Sequence, residues 1–488
     1  MSSEINISRI LLAAMTLLGG IAFLGAAVDR GSHLSWVVLA PYGLLFIGIL
    51  LFGFRNLALQ SPLLWYFLFY NLLFFVIRAV ELNPGLENLK YQVVGIRPAQ
   101  IASLGWDLCL FFLATWILVE IWFRYQPRPS PGSPSVAALG VPWPNLQAVF
   151  FSAALLVAVL LRFYLSAKIG YGRHTEGARS LSFLAKGLIT ALNASSLTIL
   201  VLFFVFPLRQ KIKKTVWILC VSVLLISAGT QTLMSSKSAL IQILVPCSFF
   251  IFILNKASIH KTTVMLLLVS LAAVPIFFNL GKQLRANQFY LPEKNSIGEY
   301  LGALGEVSPR SLLRTQEIFD RLTGIDSVIN LQQENQWIQP GVLIRLDNDL
   351  KSILNWMLPG RPFSVILTSQ TYAVIYGDKK WASFFNGELY TTHLFTLYGL
   401  GYAYWGKPLC FLAIPLMVLG FVQALKISER THGWGGMVSS LLVFNAFFWT
   451  LNASGFDEII ILQLETFVPV YLFVWGNQIL GKKNLLFS

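Results

Sequence analysis

The residues of this 488-residue chain that could do chemistry fall into a few groups. Arg162, Lys168, Arg173, Arg179 and Lys186 crowd one stretch against the single acid Glu176. Such an excess of cations suits an anionic ligand, or equally the anionic headgroups of a membrane. Ser235, Ser236, Lys237 and Ser238 stand at the start of an apolar run. Free N–H groups, hydroxyls and an ammonium at a helix start suit a phosphate, and the serines would also serve as plain helix caps. Lys282 and Arg285 leave another apolar run. Farther on, Glu388, Tyr390, His393 and Tyr398 bring a carboxylate, an imidazole and two phenols into one short segment. Glu388 or His393 could take a proton as a general base, although five positions apart they are not neighbours on a helix. Asp107, Arg162 and Glu465 lie inside otherwise apolar runs, where ionisable groups are rare and either pair or line a polar cleft.

Other patterns carry less. Gly401 to Lys407 has the spacing of a phosphate loop, but Pro408 stands where a magnesium-holding Ser or Thr belongs, and no strand is expected before it. Asp347-Asn348-Asp349 resembles the D-x-D of sugar-nucleotide enzymes and reads better as surface acids. The five histidines, His33, His174, His260, His393 and His432, show no metal-ligand spacing. Cys109, Cys220, Cys247 and Cys410 each sit in an apolar run, as buried inert thiols do.

The elements that must position these residues follow from composition. Apolar residues make up 56% and charged residues 12%, about half the charged share of a soluble globular protein. A water-soluble enzyme, a disordered chain and a disulfide-stapled domain are excluded, which leaves an all-α polytopic integral membrane protein. The net charge of +14 belongs to membrane topology rather than to nucleic-acid binding.

A membrane crossing takes about 20 apolar residues, and the chain offers about twelve such runs. They are Ile10–Val28, Leu34–Phe54, Pro62–Ile77, Ile101–Trp122, Leu146–Leu165, Leu188–Leu208, Val216–Leu233, Ala239–Leu254, Val264–Leu280, Leu409–Leu425, Met437–Leu451 and Ile459–Ile479. The first is too long and too weakly basic at its start for a signal peptide and reads as a membrane helix. Arg55, Arg124, Arg128, Arg209, Lys211, Lys213, Lys214, Lys256, Lys261, Lys426, Arg430, Lys482 and Lys483 fall on one side if the runs alternate. The bias of short loops makes that side the cytoplasm, with both termini. Three parts result: residues 1–280 with nine helices, a large outer loop over 281–392, and residues 393–488 with three helices. The loop holds 11 basic and 11 acidic residues, so the net positive charge lies elsewhere. Helices are expected in it after Ser308-Pro309, ending at Gly324, and from about Gly341 to Leu358.

Two stretches carry a resemblance. Ser235-Ser236-Lys237-Ser238-Ala239-Leu240 and Asn386-Gly387-Glu388-Leu389-Tyr390, followed by Tyr398-Gly399-Leu400-Gly401, resemble segments of the bacterial oligosaccharide repeat-unit (O-antigen) polymerases of the Wzy type. The latter stretch is similar to the family's aromatic-Gly-x-x-Gly return from its large periplasmic loop, with the final glycine one residue early. The family's Arg-x10-Gly motif is not matched, since nine residues separate Arg162 from Gly172. The resemblance implies a GT-C-like glycosyltransferase in the bacterial inner membrane, acting without a metal or other cofactor. Donor and acceptor would be glycans on undecaprenyl diphosphate, and further partners would be membrane lipid and a chain-length-regulating co-polymerase. A sugar hydroxyl would attack the donor's anomeric carbon, and the lipid diphosphate would leave. Such chemistry needs cations for the developing charge and a base for the hydroxyl proton. Arg162, Arg173, Arg179, Lys237 and Arg285 are the expected diphosphate ligands. His393, then Glu388, is the expected base, and Trp381, Tyr390 and Tyr398 are the expected sugar contacts.

Two alternatives stand beside this reading. An O-antigen ligase shares the architecture and donor but transfers to a lipid core. A transporter of lipid-linked glycan would favour charges deep in the bundle and no large outer domain.

Overall fold

The structure, a computed structural model, describes residues 4–28, 36–59, 61–82, 97–125, 141–169, 194–233, 246–250, 258–260, 325, 328–329, 346–357, 363, 396–431, 433–452 and 456–486. These residues are almost wholly helical. The helices are α1 (Ile7–Val28), α2 (Trp36–Leu59), α3 (Pro62–Glu81), α4 (Pro98–Tyr125), α5 (Pro144–Ile169), α6 (Ala194–Val205) and α7 (Lys214–Leu233). They continue with α8 (Leu346–Met357), α9 (Leu397–Arg430), α10 (Gly433–Asn452) and α11 (Phe456–Leu486). Among the described residues nine helices are long and apolar enough to cross a membrane, all but α6 and α8. The chain is therefore a polytopic α-helical membrane protein. Nine of the twelve expected runs coincide with these helices. The Leu188–Leu208 run is represented by the shorter α6, only residues 246–250 of Ala239–Leu254 are described, and Val264–Leu280 lies outside the described residues. The helix expected after Ser308 also lies outside them, whereas α8 falls within the expected 341–358.

The helix ends sort by charge. Arg55 grips Glu120 with two hydrogen bonds of 2.9 and 2.7 Å, and Arg124 reaches the same carboxylate at 3.4 Å, so the ends of α2 and α4 are joined. Lys426 of α9 lies 3.4 Å from the Phe123 ring centre and 4.8 Å from that of Trp122, a cation–π contact at the same end. At the start of α5, Asn145 accepts from the Lys213 N–H and Gln147 donates to Asn477 of α11. The N-terminal strand β1 (Glu4–Asn6) pairs antiparallel with β2 (Ser258–His260), register Glu4 to His260. Among the described residues, Arg55, Arg124 and Lys426, expected on one side, do share one end of the bundle.

Breaks in the helices are mended by side chains. Asn56 closes the turn from α2 to α3, donating to the Ser61 carbonyl and accepting its N–H, both at 3.2 Å. Pro62 then starts α3, where its missing N–H would have had no partner anyway. Pro469 lies inside α11 and deprives the Glu465 carbonyl, four residues back, of its helical donor. Ser196 of α6 supplies the replacement, its hydroxyl 2.9 Å from that carbonyl. Within α3 the residues Leu72–Ile77 widen into a π-helical turn, a geometry frequent at functional sites.

α9 is two helices. Gly406 has φ 70° and ψ 168°, a region open in practice only to glycine, and the chain reverses there. A Cβ on Gly401 would lie 2.7 Å from Ile414 Cδ1 and 3.2 Å from Cys410 Cβ. On a straight helix residues 401 and 414 would be about 20 Å apart. The short limb, Leu397–Trp405, therefore folds back along the long limb, and Phe111 of α4 packs on both: 5.4 Å from Tyr398 and 4.3 Å from Phe411 between ring centres.

This hairpin predicts that Gly406→Ala, by strain, costs about 1–3 kcal/mol, and that Gly401→Leu, by overpacking, costs about as much. Gly420→Ala, at a glycine with open space around it, should be neutral. Thermal unfolding of the detergent-purified protein measures all three.

Candidate functional site

Buried polar groups gather along the short limb of α9, from Tyr404, toward the end of the bundle away from Arg55 and Lys426, down to Tyr398, beside Asn71 and Phe111 midway along α3 and α4. Thr396 caps it, its hydroxyl accepting the Gly399 N–H at 3.1 Å. The Leu397 N–H donates to the Tyr70 hydroxyl at 3.3 Å. Tyr398 donates to Asn71 Oδ1 at 2.7 Å, while Asn71 Nδ2 donates to the Phe67 carbonyl at 2.8 Å. Tyr402 donates to Asp107 Oδ2 at 2.9 Å. Tyr404 donates to Asp349 of α8. Three tyrosines thus tie one short helix to α3, α4 and α8. Asn71, Asp107 and Asp349 are all buried. A buried polar group left without a partner costs about 1–3 kcal/mol, so each hydroxyl meets a need its neighbour creates.

The π-helical turn begins directly after Asn71 and shapes this contact. Phe75, inside it, meets the Tyr398 ring edge-on with centres 5.0 Å apart. It leads into Arg78, whose guanidinium is buried and lies 2.8 Å from Glu81. Arg78 and Asn71 were not anticipated from sequence, although a polar residue within the Pro62–Ile77 run and a cation just past it were visible signals.

Of the expected site residues, Asp107, Arg162, Glu465 and Tyr398 are described. Asp107 is nine residues into α4, Glu465 nine into α11 and Arg162 seven before the end of α5. All three lie at this end of the bundle at comparable depth, about 10–14 Å from the helix termini. They do not converge through one cluster of helices: Asp107 belongs with α2 and α9, Arg162 and Glu465 with α6 and its neighbours. Tyr398 is closed off from solvent and its hydroxyl is committed to Asn71, so it holds the limb in place and offers no ring face to a sugar. Asp349 is likewise buried under Tyr404 and is not a surface acid, whereas Asp347 is exposed. The phosphate-loop spacing at Gly401–Lys407 falls on a helix and its break. Arg173, Arg179, Lys237, Arg285, Trp381, Glu388, Tyr390 and His393 lie outside the described residues.

No group of three or more His, Cys, Asp or Glu that could hold a metal occurs among the described residues. Cys109 donates to the Pro41 carbonyl and Cys220 accepts from Ser152, and all four cysteines are free thiols.

Compared with protein families, with curated proteins and with solved structures, the chain matches none.

Tyr398→Phe should destabilise the protein by about 1–3 kcal/mol, the cost of stranding the Asn71 carbonyl oxygen. A double-mutant cycle with Asn71→Leu should return a coupling of about 0.5–3 kcal/mol, read from unfolding in detergent.

Proposed function

We propose that this protein is a GT-C-like glycosyltransferase of the bacterial inner membrane that polymerises oligosaccharide repeat units carried on undecaprenyl diphosphate. The observation that carries the reading concerns the short limb of α9. The segment Tyr398-Gly399-Leu400-Gly401, one of the two stretches on which the resemblance rests, is buried in the bundle and tied by Asn71 and Asp107. The limb's outer part, Tyr402 and Tyr404, meets Asp107 and Asp349 toward the end of the bundle away from Arg55 and Lys426. The basic helix ends gather at the opposite end, which positive-inside bias makes cytoplasmic. The reaction face is then periplasmic.

At that face the acceptor's sugar hydroxyl attacks the anomeric carbon of the donor. A new C–O glycosidic bond forms, the bond to the phosphate oxygen breaks, and the diphosphate leaves with its electron pair. His393 or Glu388 takes the hydroxyl proton and returns it to solvent. Arg162, Arg173, Arg179, Lys237 and Arg285 are the cations available to meet the charge that grows on the diphosphate. Trp381 and Tyr390 offer ring faces to the sugars.

The test is a gel of surface glycan from a strain lacking the gene. A single capped repeat is the expected result. Long glycan that stays on its lipid carrier would make the protein a ligase, and an unchanged ladder would overturn the reading. In the complemented strain Arg173→Ala and Arg285→Ala should each lower polymer yield about 100-fold or more while the protein level in the membrane holds. Normal ladders in both would remove the diphosphate-binding role.

A further inference from the structure

Helix α8 (Leu346–Met357) is built inside out for a helix in water. Its buried positions are polar: Asp349, 4% exposed, and Ser352, 7%. Its apolar Leu350 and Met357 are 57% and 62% exposed. A helix that packs on a soluble core shows the reverse pattern. Seven residues apart, Leu350 and Met357 fall within about 20° of each other on the helix surface. Asp347 and Lys351 form a third face, both exposed and 3.6 Å apart in an ion pair. Near the end of the helix, Asn355 donates to the Phe363 carbonyl and accepts its N–H at 2.6 and 2.8 Å, adding a partly exposed phenyl ring at the C-terminal end.

We infer that α8 is an interfacial helix that lays its Leu350–Met357 face in the acyl-chain boundary of the lipid leaflet. The three faces match three surroundings: protein on the side of Asp349 and Ser352, lipid on that of Leu350 and Met357, water on that of Asp347 and Lys351.

Its level in the bundle supports this. Asp349 accepts from Tyr404, whose ring meets Phe456 with centres 4.8 Å apart, and α8 packs on α11. Phe456 is three residues before Ile459, where the apolar span of α11 begins, which is about 4.5 Å along the axis. Interfacial helices sink an apolar face about 5–10 Å into the same boundary. Exposed Ile460, Leu409 and Leu412, at the beginnings of the spans of α11 and α9, continue the apolar surface downward. Because Tyr404 is on the short limb of α9, the helix also fixes that limb to the membrane surface. The inference holds whatever reaction the protein performs.

Full-length Leu350→Cys, Met357→Cys, Asp347→Cys and Lys351→Cys proteins, labelled with an environment-sensitive nitrobenzoxadiazole dye, test it. The unsubstituted chain, with its four native cysteines, serves as the blank. The proteins are reconstituted in phosphatidylethanolamine–phosphatidylglycerol vesicles formed in iodide, so that both sides carry the quencher. Labels at 350 and 357 should emit to the blue of those at 347 and 351 and be quenched severalfold more by doxyl-labelled lipid than by iodide. Labels at 347 and 351 should show the opposite ratio. Iodide quenching at 350 and 357 equal to that at 351 would place the helix in water and overturn the inference. Protection from both quenchers would mean that protein covers the face, which overturns it equally.

Discussion

In hydrocarbon a backbone carbonyl that loses its helical donor has no water to turn to, and much of this structure follows from that constraint. The chain interrupts its helices repeatedly, and the described residues show how the interruptions are met. Pro469 frees the Glu465 carbonyl and a serine of another helix reaches it. The turn from α2 to α3 is closed by one asparagine acting as donor and acceptor. The reversal at Gly406 sets off the short limb, whose start Thr396 and the Tyr70 hydroxyl cap. The bonds from Ser196 and Tyr70 each join helices that are distant in sequence, so bonds that mend the backbone also assemble the bundle.

The short limb of α9 shows how polarity is then used. Its tyrosines carry rings that pack among Phe75, Phe111 and Phe456, and hydroxyls that reach Asn71, Asp107 and Asp349. An aromatic body with a polar tip suits a site at the edge of the apolar layer. One end of the bundle is consequently rich in phenol–carboxylate contacts, and the other in arginine and lysine, with Glu120 shared by Arg55 and Arg124. The inverted amphipathicity of α8 extends the phenol-rich end laterally.

The membrane spans were legible because each needs only an apolar run of sufficient length, a property of consecutive residues. That Arg55, Arg124 and Lys426 meet at one end was legible from the charges that follow their apolar runs. Asp107 and Glu465 stood out as charges in apolar runs. Asn71 and Arg78 did not, because the partners that give them meaning, Tyr398 on a helix more than 300 positions away and a π-helical turn, leave no local pattern. Tyr398 was expected at a sugar for its residue type, and its burial depends on a reversal at Gly406 that the sequence marks only as a glycine before Lys-Pro.

By itself the sequence determined that the chain crosses a membrane many times and where charged residues fall relative to its apolar runs. These are one-dimensional quantities, set by hydropathy and charge along the chain. The tertiary structure decided which polar residue answers which: that Ser196 serves the Glu465 carbonyl, that Asn71 and Asp107 hold the short limb, and that Asp349 turns inward while Leu350 faces out. Those pairings arise because buried donors and acceptors must match across helices in three dimensions, a condition no stretch of consecutive residues encodes.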